Sequence, residues 1–538
     1  MEQVKLYDTT LRDGMQGEGM SLSASEKARV VLALDKLGVQ MIEAGFPSSN
    51  PKEEELFARL AELDLEQATI CAFGMTRRRD TAPEDDPALR VLVGAFTPVV
   101  TLVGKTWGLH LEKVTKVSRG ENLAMIADSV GFCRDQGKRV VYDAEHFFDG
   151  YRDDSAYALE CLAAAIEAGA ENVTLCDTNG SSLPDQIAAA TREVVGKLGE
   201  RAEVGIHVHD DAGCGVANSL AAVAEGARMV QGTVNGYGER CGNANLTTIL
   251  PNLQLKLGYD VVSPEQLASL AETVHFVDEL CNVTQDPDAP YVGRNAFAHK
   301  GGMHVAGVEA DSRTFEHVDP AAVGNQRAIL PSELSGKATI RAQAEQAGLD
   351  MDDAAAARAV ERLKEQEHRG YHYEAAPGSF ELLLRRESGE YRPLFRLESF
   401  RVVVEKHADG EVTTEATIKV EVDGDRYFQA AEGNGPVNAL DRALRTAIAD
   451  RYPHLADIEL TNYKVRILDE AHGTGAVTRV LLDSADHERE WGTIGVSENI
   501  IEASWQALAD SLVYGLLLHD DRVRPASVAD PAPEGARP

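Results

Sequence analysis

Basic charge is scarce in this sequence: 53 Lys and Arg stand against 87 Asp and Glu in 538 residues, a formal net charge of −34. So acidic a chain repels phosphate backbones and anionic lipid, so neither nucleic acid nor membrane is an expected partner. Any anionic substrate would need basic groups gathered locally. The seven cysteines, at 71, 133, 161, 176, 214, 241 and 281, include no C-x-x-C pair. Several lie in apolar runs such as ATICAFG and TLCDT, which reads as reduced, buried thiols of a cytoplasmic protein. No apolar stretch reaches the roughly 18 residues a membrane span needs. The start, MEQVKLYDTT, runs into a strand without a signal-peptide pattern. No G-x-G-x-x-G follows the first strand, which counts against a dinucleotide-binding half.

What is present is a regular alternation. A chain of 538 residues exceeds one ordinary core, so two or three domains are expected. Over the first 275 residues, eight short apolar runs read as strands: Val4–Tyr7, Met41–Ala44, Ala68–Phe73, Val99–Val103, Arg139–Tyr142, Asn172–Cys176, Val204–Val208 and Met229–Val234. Amphipathic segments of helical length separate them, such as SASEKARVVLALDKLG, with Ser23 or Ser25 as N-cap and Gly38 as the stop. Eight strand–helix units in this length predict a (β/α)8 TIM barrel over residues 1–275, a doubly wound open sheet being the alternative.

In such a barrel the site is built at the C-terminal strand ends. There the sequence gathers polar residues: Arg12, Asp13 and Gln16 after strand 1, Glu43 at strand 2, Arg77–Arg79 at strand 3 and Lys105 at strand 4. Asp143, Glu145 and His146 follow from strand 5, Asp177, Thr178 and Asn179 from strand 6, His207, His209 and Asp210 from strand 7, and Glu239, Arg240 and Asn243 from the loop after strand 8. His207-x-His209 places two imidazoles on one face of a strand, a ready ligand pair for a divalent cation. A packed or surface histidine pair is the plainer reading, and loop polarity alone would produce part of the clustering.

RDGMQ at 12–16, H-x-H at 207–209 and GERCGNANL at 238–246 together resemble the DRE-TIM metallolyase family, and within it the 2-isopropylmalate, homocitrate and citramalate synthases. LYDTTLRDGMQGEG, NAFAHKGGMHVAG, AAEGNGPVNALDRAL and WGTIGVSENIIEASWQAL resemble most the bacterial citramalate synthase branch. The resemblance covers almost the whole chain. It implies Asp13, His207 and His209, with Asn243 as a weaker fourth, as ligands of a divalent metal (Mg, Mn or Zn). It implies Arg12 against a ketone oxygen, where a salt bridge to Asp13 or Glu43 is the structural alternative. It implies Gln16 and Thr178 as substrate-binding residues, Thr178 having a helix N-cap as its plainer role. Glu145 matches the catalytic glutamate, beside His146 where many relatives carry Asp. His304, in GGMHVAG, matches the catalytic histidine, and the proton-abstracting group stays open between His304 and Glu145. Phe315 stands where the family often has a tyrosine.

The resemblance further implies an acyltransferase: acetyl-CoA condenses with pyruvate, giving citramalate and CoA for isoleucine biosynthesis. The Arg77–Arg79 run and Lys105 are basic candidates for the anionic CoA, at least one arginine reading better as solvated charge. Residues 276–390 read as helical linker subdomains, from which His299 and His304 would reach a barrel mouth. Residues 391–520 read as an α+β regulatory and dimerisation domain, with strands followed by a helix, twice, the helices being Val437–Tyr452 and Asn499–Leu518. An amino-acid effector, isoleucine by resemblance, and a homodimer are implied; a dimerisation domain without ligand is the alternative. Residues 521–538 read as a disordered tail. Three rival functions are a longer 2-oxo acid as acceptor, a retro-aldol lyase on the same barrel, and an amino-acid-sensing binding protein that uses only the C-terminal half.

Overall fold

The computed structural model describes residues 2–47, 50–300, 302–329, 336–468 and 476–519; the expected tail at 521–538 lies outside them. The chain packs as two compact units. One is Met1–Phe297 with His317–Arg327; the other is Ala298–Glu316 with the chain from Ala328 onward.

The first unit is a closed barrel of eight parallel strands: β1 (Lys5–Asp8), β2 (Met41–Gly45), β3 (Thr69–Met75), β4 (Val99–Lys105), β5 (Arg139–Glu145), β6 (Asn172–Asp177), β7 (Glu203–Val208) and β8 (Met229–Gly232). β1 closes on β8, with Tyr7 opposite Gln231 and Asp8 opposite Gly232. The open-sheet alternative is thereby set aside. Strand alternation separates two layers of apolar side chains. Leu6, Ile42, Ile70, Val100, Val140 and Val230 pack outward into the main core against the helices. Their neighbours Tyr7, Met41, Cys71, Val99, Val141 and Met229 form a separate buried cluster that fills the barrel interior.

Local signals set the helices between the strands. Ser23 caps the helix Ala24–Leu37 through a capping box: its hydroxyl accepts from the Glu26 N–H at 3.2 Å, and the Glu26 carboxylate accepts from the Ser23 N–H at 2.7 Å. Gly38 ends that helix at φ 91°, a left-handed conformation that suits glycine.

The expected strand Met229–Val234 stops early, at Gly232, and a short 3₁₀ turn spans Val234–Gly236. A β-carbon on Gly232 would lie 2.4 Å from the Ala244 carbonyl oxygen, so only glycine lets the following loop fold back this closely. That loop then pairs across the strand ends, with isolated bridges His209–Asn243 and Thr233–Asn245. In the other direction β4 and β5 run further than the apolar runs indicate, ending on Lys105 and Glu145.

The second unit holds a two-stranded pair, β9 (Ala298–His299) with β10 (Ala328–Ile329), the helices Gly302–Ala310, Lys337–Gln346, Asp353–His368 and Pro377–Ser388, and two antiparallel three-stranded sheets. The first sheet is β11 (Arg396–Lys406), β12 (Val412–Val422) and β13 (Asp425–Gly433), followed by the helix Pro436–Ile448. The second is β14 (Glu459–Ile467), β15 (Thr478–Ala485) and β16 (Glu490–Ser497), followed by the helix Ile500–Leu518, which Asn499 caps. Strands then helix, twice, is the order read from the sequence. The first of these helices ends at Ile448, before the expected Tyr452, because Pro453 opens a separate 3₁₀ turn. Ala416, Ile418, Val420 and Val422 alternate inward on β12 and meet Leu440, Ala443, Leu444 and Ile448, which lie on one helical stripe. Among the described residues, no helix is long and apolar enough to cross a membrane.

Leu444 is fully buried in this core. Leu444→Ala should destabilise the second unit by about 2–5 kcal/mol, the usual range for emptying a buried leucine site. Calorimetry should show one lowered thermal transition and an unshifted transition for the barrel; a variant that melts like the parent would refute the packing described.

Candidate metal centre

Barrel closure brings together residues almost two hundred positions apart. Asp13 Oδ2 lies 3.3 Å from His207 Nε2 and 3.9 Å from His209 Nε2. One ligand-type atom from each of the three lies within 4.8 Å of the others, and all three residues are buried. His207 is on β7 and His209 just beyond its end, so strand alternation turns both rings to one side. Asp13 follows β1, in the turn that leads into the 3₁₀ helix Gly14–Gln16.

Buried charge shapes this group. Burial alone would raise the Asp13 carboxyl, but Arg12, and after it the His207 hydrogen bond, hold it well below the ordinary carboxylate range. The same contact with Asp13 raises His207 against its burial. His209, desolvated and beside His207, is pushed down to about 4 and is therefore a neutral imidazole with a lone pair to offer.

Asn243 pairs through its backbone with His209, in the loop that crosses the strand ends. Its amide N–H donates to the Tyr237 carbonyl at 3.0 Å, which fixes which end of the amide is oxygen. That oxygen is buried and, among the described residues, has no hydrogen-bond partner, and neither has His209 Nδ1. An orphaned buried acceptor costs about 1–3 kcal/mol unless something binds it. One carboxylate, two imidazoles and a spare amide oxygen are a donor set suited to Mg²⁺, Mn²⁺ or Zn²⁺. The residues present fit a divalent cation.

Arg12 lies beside the ligands. Its Nε donates to Glu43 Oε1 at 2.5 Å, its Nη1 lies 3.2 Å from Asp13 Oδ1, and its guanidinium carbon sits 4.0 Å from the centre of the Phe73 ring. The salt-bridge role considered from the sequence is thus real for both carboxylates. Glu43 is itself held by the Tyr7 hydroxyl at 2.8 Å.

The other site residues fall in four places. Thr178 is not a helix N-cap: its hydroxyl oxygen accepts from the His146 backbone N–H at 2.9 Å, tying the loop after β6 to the end of β5. Glu145, the last residue of β5, forms an ion pair with Lys105, its register partner at the end of β4. Gln16 ends the 3₁₀ turn after β1 and is exposed. His304 belongs to the second unit, on the helix Gly302–Ala310, exposed and stacked on Phe315 with ring centres 4.2 Å apart.

Of the basic candidates, Arg77 is buried and spent on ion pairs to Glu121 and Asp128, each at 2.8 Å. Arg78 and Arg79 are exposed, and both line a cavity of about 540 Å³ with Lys105, Phe46, Phe73 and Val103. Reading from sequence missed Gln231, the single amide on β8, whose neighbours are Val230 and Gly232; a lone polar side chain inside a buried strand was the available signal.

A barrel with a buried carboxylate–imidazole group at its C-terminal mouth defines the class: a metal-site TIM-barrel enzyme. Residues 3–277 match the HMGL-like family model, 291–370 the homocitrate synthase post-HMGL domain-like model, and 374–516 the LeuA allosteric (dimerisation) domain. The (R)-citramalate synthase of Synechocystis sp. is 50% identical, covering 95% of this chain and 96% of that protein. The (R)-citramalate synthase of Aquifex aeolicus is 46% identical, covering 97% and 99%. The 2-isopropylmalate synthase of Methanocaldococcus jannaschii is 30% identical, covering 95% and 94%. The chain belongs to the citramalate synthase family of DRE-TIM barrel transferases. Enzymes of this family condense acetyl-CoA with a 2-oxo acid and use a divalent metal.

Asp143, in the barrel interior, is pushed up to about 7 by burial and by Glu43. A carboxyl raised above its unfolded value near 4 binds more protons folded than unfolded, so it lowers stability as pH rises from about 4 to about 7. Asp143→Asn keeps an oxygen for the Gln231 N–H to bond and removes that dependence. In metal-free protein, the melting temperature of the variant relative to the parent should therefore climb across this window; a constant offset would contradict the assignment.

Proposed function

We propose that the chain catalyses the condensation of acetyl-CoA with pyruvate, giving (R)-citramalate and CoA, in isoleucine biosynthesis in the cytoplasm. The observation that carries this reading is the buried Asp13–His207–His209 group with Arg12 paired beside it. The choice of pyruvate rests on the relatives at 46–50% identity over nearly full length, which are named as (R)-citramalate synthases.

Asp13, His207, His209 and Asn243 would hold the cation. When bound, a divalent metal supplies Lewis-acid polarisation of the acceptor's ketone. Arg12, fixed by Glu43, Asp13 and the Phe73 ring, directs its remaining N–H groups at the ketone oxygen and stabilises the alkoxide that develops there. Thr178 already accepts from the His146 N–H, which sets its rotamer and leaves its own O–H to donate to the substrate carboxylate. Gln16, on the turn after β1, contributes an amide to the same substrate.

The methyl group of acetyl-CoA is a weak carbon acid, so a positioned base must take its proton as the carbon attacks. Glu145, oriented by Lys105, and His304, oriented by Phe315, are the two groups offered for this. Phe315 has no hydroxyl, so a proton relay through a tyrosine at that position is excluded. The new carbon–carbon bond leaves a thioester; water then cleaves it, releasing the CoA thiol and a carboxylate.

The three segments take separate roles in this reading: 1–275 for catalysis, 276–390 as linker subdomains and 391–520 for regulation in a homodimer. A cavity of about 640 Å³ in the second unit, lined by Val437, Leu460, Ile500, Ile501 and Leu508 with the polar Asn438 and Asp441, has room for an amino acid such as isoleucine.

Thiol release measured with a panel of 2-oxo acids tests the proposal. The kcat/KM for pyruvate should exceed that for 2-oxoisovalerate; the reverse order would replace pyruvate with a longer acceptor. Asp13→Ala, His207→Ala and chelator treatment should each lower turnover by about 10³-fold, the value of several kcal/mol of charge stabilisation. Added isoleucine should lower the parent rate, and acetyl-CoA-independent cleavage of citramalate would favour a lyase instead.

A further inference from the structure

We infer that Gln231 is a positioning residue for the cation, committing His207 to ligate through Nε2. This rests on the metal reading above.

Gln231 is fully buried on β8, between β1 and β7, opposite Tyr7 on one side and His207 on the other. Its Oε1 lies 2.9 Å from His207 Nδ1. Its amide N–H groups point to two acceptors, Asp143 Oδ1 at 2.8 Å and Thr174 Oγ1 at 3.3 Å. The Thr174 hydroxyl donates to Asn172 Oδ1 at 2.8 Å, so its oxygen is left as an acceptor for Gln231.

This chain of bonds removes the ambiguity of both side chains. An amide can be turned either way, but the –NH₂ end must face Thr174 and Asp143, because the Thr174 hydroxyl is already spent on Asn172 and its oxygen can only accept. The oxygen therefore faces His207. An amide oxygen only accepts, so the proton at that contact must sit on His207 Nδ1. Nε2, the atom 3.3 Å from Asp13, is then the nitrogen whose lone pair a cation can take. Without Gln231 the Asp13 carboxylate alone would bias the proton, toward Nε2, and part of the population would present the wrong nitrogen. Among the described residues His209 has no such partner at Nδ1, so His207 is the ligand whose tautomer Gln231 fixes in advance.

The test uses purified full-length protein stripped of metal, with Zn²⁺ as the probe and Asp13→Ala as the background for adventitious binding. Gln231→Met keeps the volume and removes both functions of the amide. Its Zn²⁺ affinity by calorimetry should fall about 10–100-fold, the usual effect of deleting an outer-shell partner. The metal-free variant should melt below the parent, because Asp143, Thr174 and the His207 N–H lose a buried partner, so affinity is compared at a temperature where both proteins are folded. In Zn²⁺-loaded, ¹⁵N-histidine-labelled parent, His207 should bind through Nε2 with a proton on Nδ1; the variant should show both linkages. Should Gln231→Met fail to fold, Thr174→Val loosens the amide without touching it, and a smaller loss in the same direction is expected. Zn²⁺ binding by either variant within twofold of the parent, with Nε2 linkage kept, would overturn the assignment of Gln231. A parent that binds no more Zn²⁺ than Asp13→Ala would overturn the metal reading itself.

Discussion

The site depends on the closure of β1 onto β8. That pairing sets the turn carrying Arg12 and Asp13 beside the end of β7, so a carboxylate from the first turn meets two imidazoles from the seventh strand. Parallel strands joined by crossover helices cannot make this contact locally. It exists because eight strands of matched tilt return the sheet to its own first edge. The loop after β8 then folds across the seam, possible because Gly232 carries no β-carbon, and its Asn243 pairs through the backbone with His209.

Charge inside the barrel is arranged around one guanidinium. Glu43, Asp13 and Asp143 all lower the energy of Arg12 in its charged form, enough to outweigh the desolvation that opposes it. Arg12 in turn keeps Asp13 ionised, the state in which a carboxylate can ligate. For Asp8 and Asp143 burial outweighs the groups that favour the charged form and pushes both up to about 7. Two carboxylates paired with Arg12, and two pushed up by burial, thus share the barrel interior. The protein's formal charge of −34 says nothing of this distribution, because exposed acids are screened by solvent and buried ones are not.

The basic residues that the sequence offers for an anionic substrate divide in the same way. Arg77 is internal and balances Glu121 and Asp128, while Arg78 and Arg79 face the cavity beside Lys105. Three adjacent arginines therefore do two different jobs. In a strand-end turn, neighbouring side chains leave the backbone in different directions, and only the fold decides which of them finds acids.

Periodicity by itself determined much here. Eight apolar runs at the spacing of strand–helix units predict eight parallel strands, whose closure into a barrel the β1–β8 pairing decides, and H-x-H on one strand face is readable because alternation is a local property of the chain. Capping at Ser23 and the stop at Gly38 are equally local, since each needs only a few residues of context. The tertiary structure alone decided that β8 ends at Gly232, that Thr178 holds the loop at His146 rather than capping a helix, and that Gln231 lies opposite His207. Those facts depend on register between strands distant in sequence, and register follows from how the whole barrel closes.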